Sequence, residues 1–257
     1  MSVTFETKVW ENDWELILKT SRLQQAIARC NYAFEAKILY INNVKDHILV
    51  EQHAQKLVEK GIIDRFIHVD AHAQAALDHF GLTRAELGKG YYYSIAELVS
   101  LYLSTTDYVL HFSGDSIADA HAQPDWLQFG LKILAYRPEV KVFNLVWNNK
   151  FEELTRETQF EDELCAYGFG FSDQMYLVRS ADFKQPIYKK THKDSAHYPA
   201  YGGELFEKRV DSWLRTHNYL RATYKHGTYW HRNFSKNRIA QRLAITLNWP
   251  NFPKSST

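Results

Sequence analysis

The sequence predicts an α/β fold: a Rossmann-like, mainly parallel sheet flanked by helices, in a single domain. In the first half, short apolar runs with strand character alternate with segments whose apolar residues follow helical spacing. Such alternation is typical of βαβ units, which build parallel sheets. The length of 257 residues fits one large α/β domain.

The elements follow one another in a regular order. In the first half we predict strands at residues 3–7, 37–43, 64–70 and 108–112, and helices at residues 14–29, 46–60, 71–80 and 93–103. After Pro124 we predict a helix at 125–136, a strand at 140–147, a polar irregular segment at 148–170 and a strand within 168–178. A polar loop at 186–203, a helix at 204–217, a strand at 220–230, a basic helix at 235–247 and a tail complete the chain.

Composition excludes several classes of protein. The 31 basic and 30 acidic residues give a net charge of +1, which argues against a general nucleic-acid-binding protein. No run of about 18 apolar residues predicts a membrane span, and the first residues lack the pattern of a signal peptide. The two distant cysteines, Cys30 and Cys165, favour a reducing compartment over a disulfide framework. We therefore expect a cytoplasmic protein with no nucleic-acid partner.

Polar residues follow three of the predicted strands. Asn42 and Asn43 end the second strand, Asp70 ends the third, and Asp115 follows the strand at 108–112. The carboxyl ends of parallel strands share one edge of a sheet, where ligands bind in open α/β folds. An acid there can hold a divalent metal, and the metal can hold a diphosphate. The alternative is that Ser113-Gly-Asp-Ser116 is an ordinary turn, since glycine and aspartate are common in turns.

The chain resembles glycosyltransferases of the GT-A fold, of the broad inverting family-2 type. In that family a first strand and loop grip the nucleobase, a second strand ends in polar residues near the nucleotide, and a later strand ends in an Asp-x-Asp motif. These features correspond here to residues 3–14, to residues 38–43 and to Ser113-Gly-Asp115. The sequence departs from the family pattern at Ser113, which replaces the first acid of the motif, and at the amides of Asn42 and Asn43.

The resemblance implies a hexosyltransferase activity in polysaccharide biosynthesis. A sugar would pass from a nucleotide-diphosphate sugar to a hydroxyl of a glycan or lipid-linked acceptor, assisted by Mn²⁺ or Mg²⁺. About residues 1–120 would bind the nucleotide sugar and about 121–257 the acceptor. Asp115 would be the metal ligand, with His226 or His231 completing the metal shell; the alternative is that both histidines are structural or exposed. Nucleotide contacts would come from Glu6, Glu11, Asn43, Lys89, Tyr93, Ser113 and Asp115.

An inverting transfer also needs a base that takes the proton of the acceptor hydroxyl. The family places this base near the start of a helix in the second half, which corresponds to Glu204 after Gly202-Gly203. Asp173 is the rival, and a carboxylate that merely favours the helix dipole is the alternative for Glu204. For Glu11, the alternative to a contact with the nucleotide is a solvated surface charge.

Two further possibilities stay open at the level of sequence. The basic segment 208–242 is either a solvated helix face or a surface that meets an anionic acceptor or a membrane. There are also two alternatives to a sugar transferase. One is a GT-A domain that binds nucleotides or glycans without turnover, which Ser113 favours. The other is a nucleotidyltransferase. The absence of glycine and basic residues from residues 10–14 counts against the latter.

Overall fold

The computed structural model describes residues 1–198 and 205–249. Within them, ten strands form one sheet: β1 Val3–Val9, β2 Ala36–Ile41, β3 Arg65–His68, β4 Tyr108–Phe112, β5 Ser116–Ala118, β6 Val140–Trp147, β7 Thr158–Glu161, β8 Cys165–Gly168, β9 Met175–Arg179 and β10 Leu220–His231. The strand order is β3-β2-β1-β4-β9-β6-β10-β8-β7, and β5 pairs with β10.

The sheet is mixed, and its first four strands in spatial order, β3-β2-β1-β4, are all parallel, as the sequence predicts. Strand β1 pairs in parallel with both β2 and β4, and β2 pairs in parallel with β3. Strand β9 runs antiparallel between β4 and β6. Strand β10 pairs in parallel with β6 and antiparallel with β8. The carboxyl ends of β1, β2 and β4 therefore lie side by side at one edge of the sheet.

Helices cover both faces of this sheet: α1 Trp14–Lys19, α2 Arg22–Ala28, α3 His47–Glu59, α4 Asp70–Phe80, α5 Arg84–Leu87, α6 Tyr91–Leu103, α7 Trp126–Tyr136, α8 Phe151–Leu154, α9 Ser180–Phe183, α10 Phe206–His217 and α11 Arg238–Thr246. Alternate residues of the strands enter two separate hydrophobic clusters. In β4, Leu110 and Phe112 pack with residues of α1, α2, α3 and α7. Val109 packs on the other face with α4, α6 and α10.

The helix predicted at residues 14–29 is divided into α1 and α2. Thr20 takes an extended backbone conformation, and its hydroxyl donates to the carbonyl of Leu16. The same hydroxyl oxygen accepts a hydrogen bond from the Arg22 backbone N–H at 3.2 Å. Helical periodicity continues through the break because both helices bury the same face, so the pattern alone does not reveal it.

The segment 148–170, predicted to be irregular, contains α8, β7 and β8. Polar residues dominate it because β7 is the outermost strand of the sheet and is largely exposed. Strand β8 is buried, and Cys165, which sequence placed in a polar loop, is fully buried within it. An edge strand of four residues carries too little apolar periodicity to be recognised from sequence.

Among the helices of the described segments, none has the length and apolar character needed to cross a membrane.

Candidate functional site

The turn after β4 holds Asp115 at the edge of the sheet where β1 also ends. The Ser113 hydroxyl donates to Asp115 Oδ1 at 2.9 Å and lies 2.8 Å from the Ser116 hydroxyl. Gly114 permits the close approach of this turn to its neighbours, because a Cβ there would lie 2.1 Å from Cδ1 of Ile17 and 3.1 Å from the carbonyl oxygen of Lys8. Ser113 therefore positions Asp115 instead of supplying a second carboxylate.

Asp115 is paired with His231, which ends β10. Their Oδ2 and Nε2 atoms are 3.1 Å apart, and both side chains are largely buried. Burial alone would raise the pKa of Asp115, but its hydrogen bonds with His231 and Ser113 and the charge of Arg22 outweigh this and lower it. An ionised carboxylate and an imidazole therefore lie side by side where two strands reach the sheet edge.

The Asp115–His231 pair fits part of a divalent metal site. Two ligands about 2.1 Å from one ion and at right angles to each other lie about 3 Å apart, close to the observed separation. However, no group of three or more His, Cys, Asp or Glu side chains in residues 1–198 and 205–249 is arranged to hold a metal. Any further ligands would have to come from a diphosphate and from water.

His226, the other candidate metal ligand, lies in a different setting. Its ring is exposed, and its Nε2 is 3.3 Å from the carbonyl oxygen of Glu163, in the turn between β7 and β8. Of the two histidines, His231 is the one in contact with Asp115. The irregular register of β10 between Tyr224 and Thr228 separates the two histidines, so their sequence proximity does not bring them together.

Three arginines surround the same turn. Arg22, Arg29 and Arg232 line a cavity of about 210 Å³ together with Asp115, Asp119 and His121. Burial, aided by the charges of Arg29 and Arg232, lowers the pKa of Arg22 to about 10, and Arg22 Nε donates to the carbonyl oxygen of Gly114 at 2.9 Å. Three guanidinium groups face two carboxylates here, a charge balance that suits the oxygens of a phosphate.

A second polar group lies on the α6 and α10 face of β1. Lys8 pairs with the buried Glu97, and its Nζ is 3.9 Å from Asp173 Oδ2. Burial and, to a smaller extent, the adjacent Asp173 carboxylate raise the pKa of Glu207 to about 9. The Asp173 backbone N–H donates a hydrogen bond to Glu207. Asp173 is therefore placed between a lysine and a carboxyl group of α10, and its side chain is 28% exposed.

Sequence reasoning missed Lys8, Glu97 and Glu207. One signal was available for Lys8, because Thr4, Glu6 and Lys8 alternate with Val3, Phe5, Thr7 and Val9 along the first strand. Polar residues on one face of a buried strand require buried partners. The identity of those partners depends on which helix covers that face, and periodicity does not supply this.

The burial of Glu6 argues against the prediction that it contacts the nucleotide. Glu6 is 1% exposed and lies inside the sheet face covered by α6. Its Oε1 accepts from the Ser100 hydroxyl at 2.8 Å and lies 3.1 Å from Nδ1 of His111 and 3.4 Å from the Tyr176 hydroxyl. Burial raises the pKa of Glu6 to about 8 despite the hydrogen bonds from Ser100 and Tyr176. This carboxyl group has no surface from which to meet a ligand.

The loops after β1 and β2 lie together. The Lys45 backbone N–H donates to Glu11 Oε2 at 2.9 Å, and the exposed Asn43 has a left-handed backbone with φ of 50°. Within the first loop, the Trp10 backbone N–H donates to Asp13 Oδ1 at 2.8 Å. Burial and the charge of Asp115 raise the pKa of Asp13 well above its usual value, so this loop is electrostatically coupled to the turn after β4.

The start of α6 adjoins the same edge. The side chain of Asn42 donates to the Tyr92 carbonyl oxygen at 2.9 Å. Tyr93, in the first turn of α6, is 51% exposed, and Lys89 is exposed in the 3-10 turn just before that helix.

Glu204, the residue predicted to be the general base, lies outside the residues that the structure describes.

Comparison with known proteins shows the fold. No family model and no curated protein matches the sequence. Two solved structures of glucosyl-3-phosphoglycerate synthase from Mycobacterium tuberculosis are similar. One, in complex with Mn²⁺, uridine diphosphate and phosphoglyceric acid, is 15% identical, with a TM-score of 0.50 over 99% of this chain and 80% of that chain. The other, with phosphoglyceric acid, is 13% identical, with a TM-score of 0.50 over 99% and 81%. The chain therefore has the GT-A fold that its sequence predicts.

Proposed function

We propose that this protein is a glycosyltransferase that moves a sugar from a nucleotide-diphosphate sugar to a hydroxyl acceptor, with inversion and with the help of Mn²⁺ or Mg²⁺. The observation that carries the proposal is the Asp115–His231 pair at the end of β4 in a GT-A fold. The Mycobacterium tuberculosis synthase binds Mn²⁺ and uridine diphosphate, which supports a donor of the same class for this chain.

In this proposal, the diphosphate of the donor lies beside the turn after β4. Asp115 and His231 are the residues that would hold a divalent cation. When bound, the cation neutralises the diphosphate and makes it a better leaving group. Arg22, Arg29 and Arg232 would pair with phosphate oxygens that the metal does not reach, which compensates for the serine at the first position of the motif.

The nucleoside would extend from the diphosphate toward the ends of β1 and β2. The loop at residues 10–13, with Glu11, and the exposed Asn43 would lie along the base and ribose. Lys89 and Tyr93, at the start of α6, would meet them from the other side. In this proposal about residues 1–120 supply most of the donor contacts, with His231 and Arg232 added from the second half. About residues 121–257 would bind the acceptor, since Asp173 and α10 border the site.

Asp173 and Glu204 remain the candidate general bases. Asp173 is partly exposed, and its Oδ2 lies 3.9 Å from Lys8 Nζ. A carboxylate in contact with the attacking hydroxyl would take its proton as the bond to the anomeric carbon forms.

We also propose that the C-terminal region contacts an anionic membrane surface. Ile239, Leu243 and Leu247, four residues apart, are 80%, 55% and 58% exposed, and the exposed Arg238 and Arg242 lie on the same helix, α11. An exposed apolar ridge next to basic residues is typical of helices that lie in a membrane interface. A lipid-linked acceptor would be reached from such a position.

Titration calorimetry with uridine diphosphate, with and without Mn²⁺, tests the donor site. We expect Mn²⁺ to strengthen binding in the wild type and in the control variant Asp78→Asn, which alters an exposed residue of α4. In Asp115→Asn this gain should be largely lost while the melting temperature is kept. Equal Mn²⁺-dependent binding in Asp115→Asn and the wild type would refute the assignment. Binding without any transfer to a panel of hydroxyl acceptors would instead favour a domain that binds donors without turnover.

A further inference from the structure

A second cavity lies beside the segment that carries Asp173. It has a volume of about 410 Å³ and is bounded by β6, β10, the segment before β9, and His197-Tyr198. Ser172 and Gln174, the chain neighbours of Asp173, line it, and the Tyr198 hydroxyl donates to the Phe171 carbonyl oxygen at its border. A molecule in this cavity would therefore lie against the two chain neighbours of Asp173.

Arg221, the second residue of β10, lines this cavity and makes no ion pair with any of the described residues. Its Nε is buried with no hydrogen-bond partner, and across the described residues no carboxylate lies within ion-pair distance of its guanidinium. Buried donors are rarely left without an acceptor. Trp147, whose Nε1 is also buried without a hydrogen-bond partner, lines the same cavity.

The acidic residues that line the cavity are committed to other cations. Glu157 accepts from Arg215 Nη2 at 2.5 Å, and Glu153 pairs with Lys150 Nζ at 2.9 Å. Glu157 Oε2 and Arg221 Nη1 both lie against Gly170, whose φ is +92°, and a Cβ there would meet them at 2.2 Å and 2.8 Å. The charge of Arg221 is therefore only partly offset, and the cavity has a free cationic donor group.

We propose that this cavity binds an anionic group of the acceptor, a carboxylate or a phosphate, through Arg221 and Trp147 Nε1. The inference rests on the proposed function and narrows it: the acceptor is a hydroxyl compound that carries negative charge. Anchoring the anion on Arg221 places the rest of the molecule toward Ser172 and Gln174, so that its hydroxyl group reaches the neighbourhood of Asp173. A guanidinium pairs with both oxyanions in a planar, two-pronged geometry.

Binding of three small probes to the full chain, measured by titration calorimetry without donor, tests this. Glycerate carries a carboxylate, glycerol 3-phosphate carries a phosphate, and glycerol is the neutral control. We expect one or both anions to bind and glycerol not to bind. Arg221→Gln should weaken anion binding about tenfold or more, since charge-assisted hydrogen bonds are the strong ones. Arg221→Lys should retain part of it, and Trp147→Phe should weaken it without changing charge.

Arg156→Gln is the matched control, because it removes an exposed arginine from the same region. Thermal melts identify any variant that fails to fold, and Trp147→Phe then supplies the test. The proposal is overturned if neither anion binds the wild type, or if Arg221→Gln binds them as the wild type does. Anion binding that depends on Arg221 in a protein without sugar transfer would uphold this site and count against the proposed activity, so the two failures are distinguishable.

Discussion

The buried pair of Lys8 and Glu97 permits a quantitative test of how the site region is held together. Glu97 is fully buried in α6 and its Oε2 has no hydrogen-bond partner, so Lys8 is the main group that balances its charge. Burial raises the pKa of Glu97, and the charge of Lys8 partly offsets this. The substitution Lys8→Met keeps a similar length of apolar chain but leaves the carboxylate alone in an apolar setting.

The cost of this substitution has an upper limit that depends on pH. Rather than remain charged, Glu97 takes up a proton, at a cost of about 1.4 kcal/mol for each pH unit above its ordinary pKa of 4.5. Protonation of Glu97 therefore limits the loss in free energy of unfolding to about 3.4 kcal/mol at pH 7 and to under about 1 kcal/mol at pH 5. Measured losses for breaking buried pairs are of the same size, about 3–5 kcal/mol.

Urea unfolding of the wild type and the variants at pH 5, 6 and 7 measures this loss in free energy of unfolding. We expect the destabilisation by Lys8→Met to grow with pH, and the double variant Lys8→Met/Glu97→Gln to regain most of the loss at pH 7, because its buried amide is neutral. A destabilisation independent of pH, or a double variant as unstable as the single one, would refute the reasoning.

Three further outcomes are expected. Glu6 has a pKa of about 8 in the folded protein, so it keeps a proton that it has lost in the unfolded chain, and the free energy of unfolding should fall between pH 6.5 and 8. In urea titrations Glu6→Gln should flatten this fall. Parallel curves for the wild type and the variant would contradict the prediction. Asp173→Asn should lower turnover about 10²–10⁴-fold with donor affinity nearly unchanged. If Glu204→Gln lowers turnover by this amount and Asp173→Asn does not, the base is Glu204. If both variants stay fully active, the proposal of a carboxylate base is refuted. Ile239→Ser/Leu243→Ser should abolish sedimentation with phosphatidylserine vesicles, and unchanged sedimentation would rule out the α11 contact.

Sequence predicted the order of strands and helices well where the periodicity is long. Strands β1, β2, β4 and β6 and helices α3, α4 and α7 lie within a few residues of their predicted positions. It failed at the break after Thr20, which is made by one hydroxyl, and at β7 and β8, which are short. Such features depend on single contacts or on pairing with distant strands, and local patterns do not record them.

The sequence by itself determined that this chain has a GT-A-like α/β fold and that Asp115 follows a strand at its ligand-binding edge, because hydrophobic period and turn chemistry are local properties. Only the tertiary structure decided that His231, and not His226, contacts Asp115, that Glu6 is sealed beneath α6, and that Arg221 makes no ion pair within the described part of the chain. These facts depend on which residues from distant parts of the chain share one face of the sheet. Strand alternation determines that two residues are on the same face, but only packing determines what covers them.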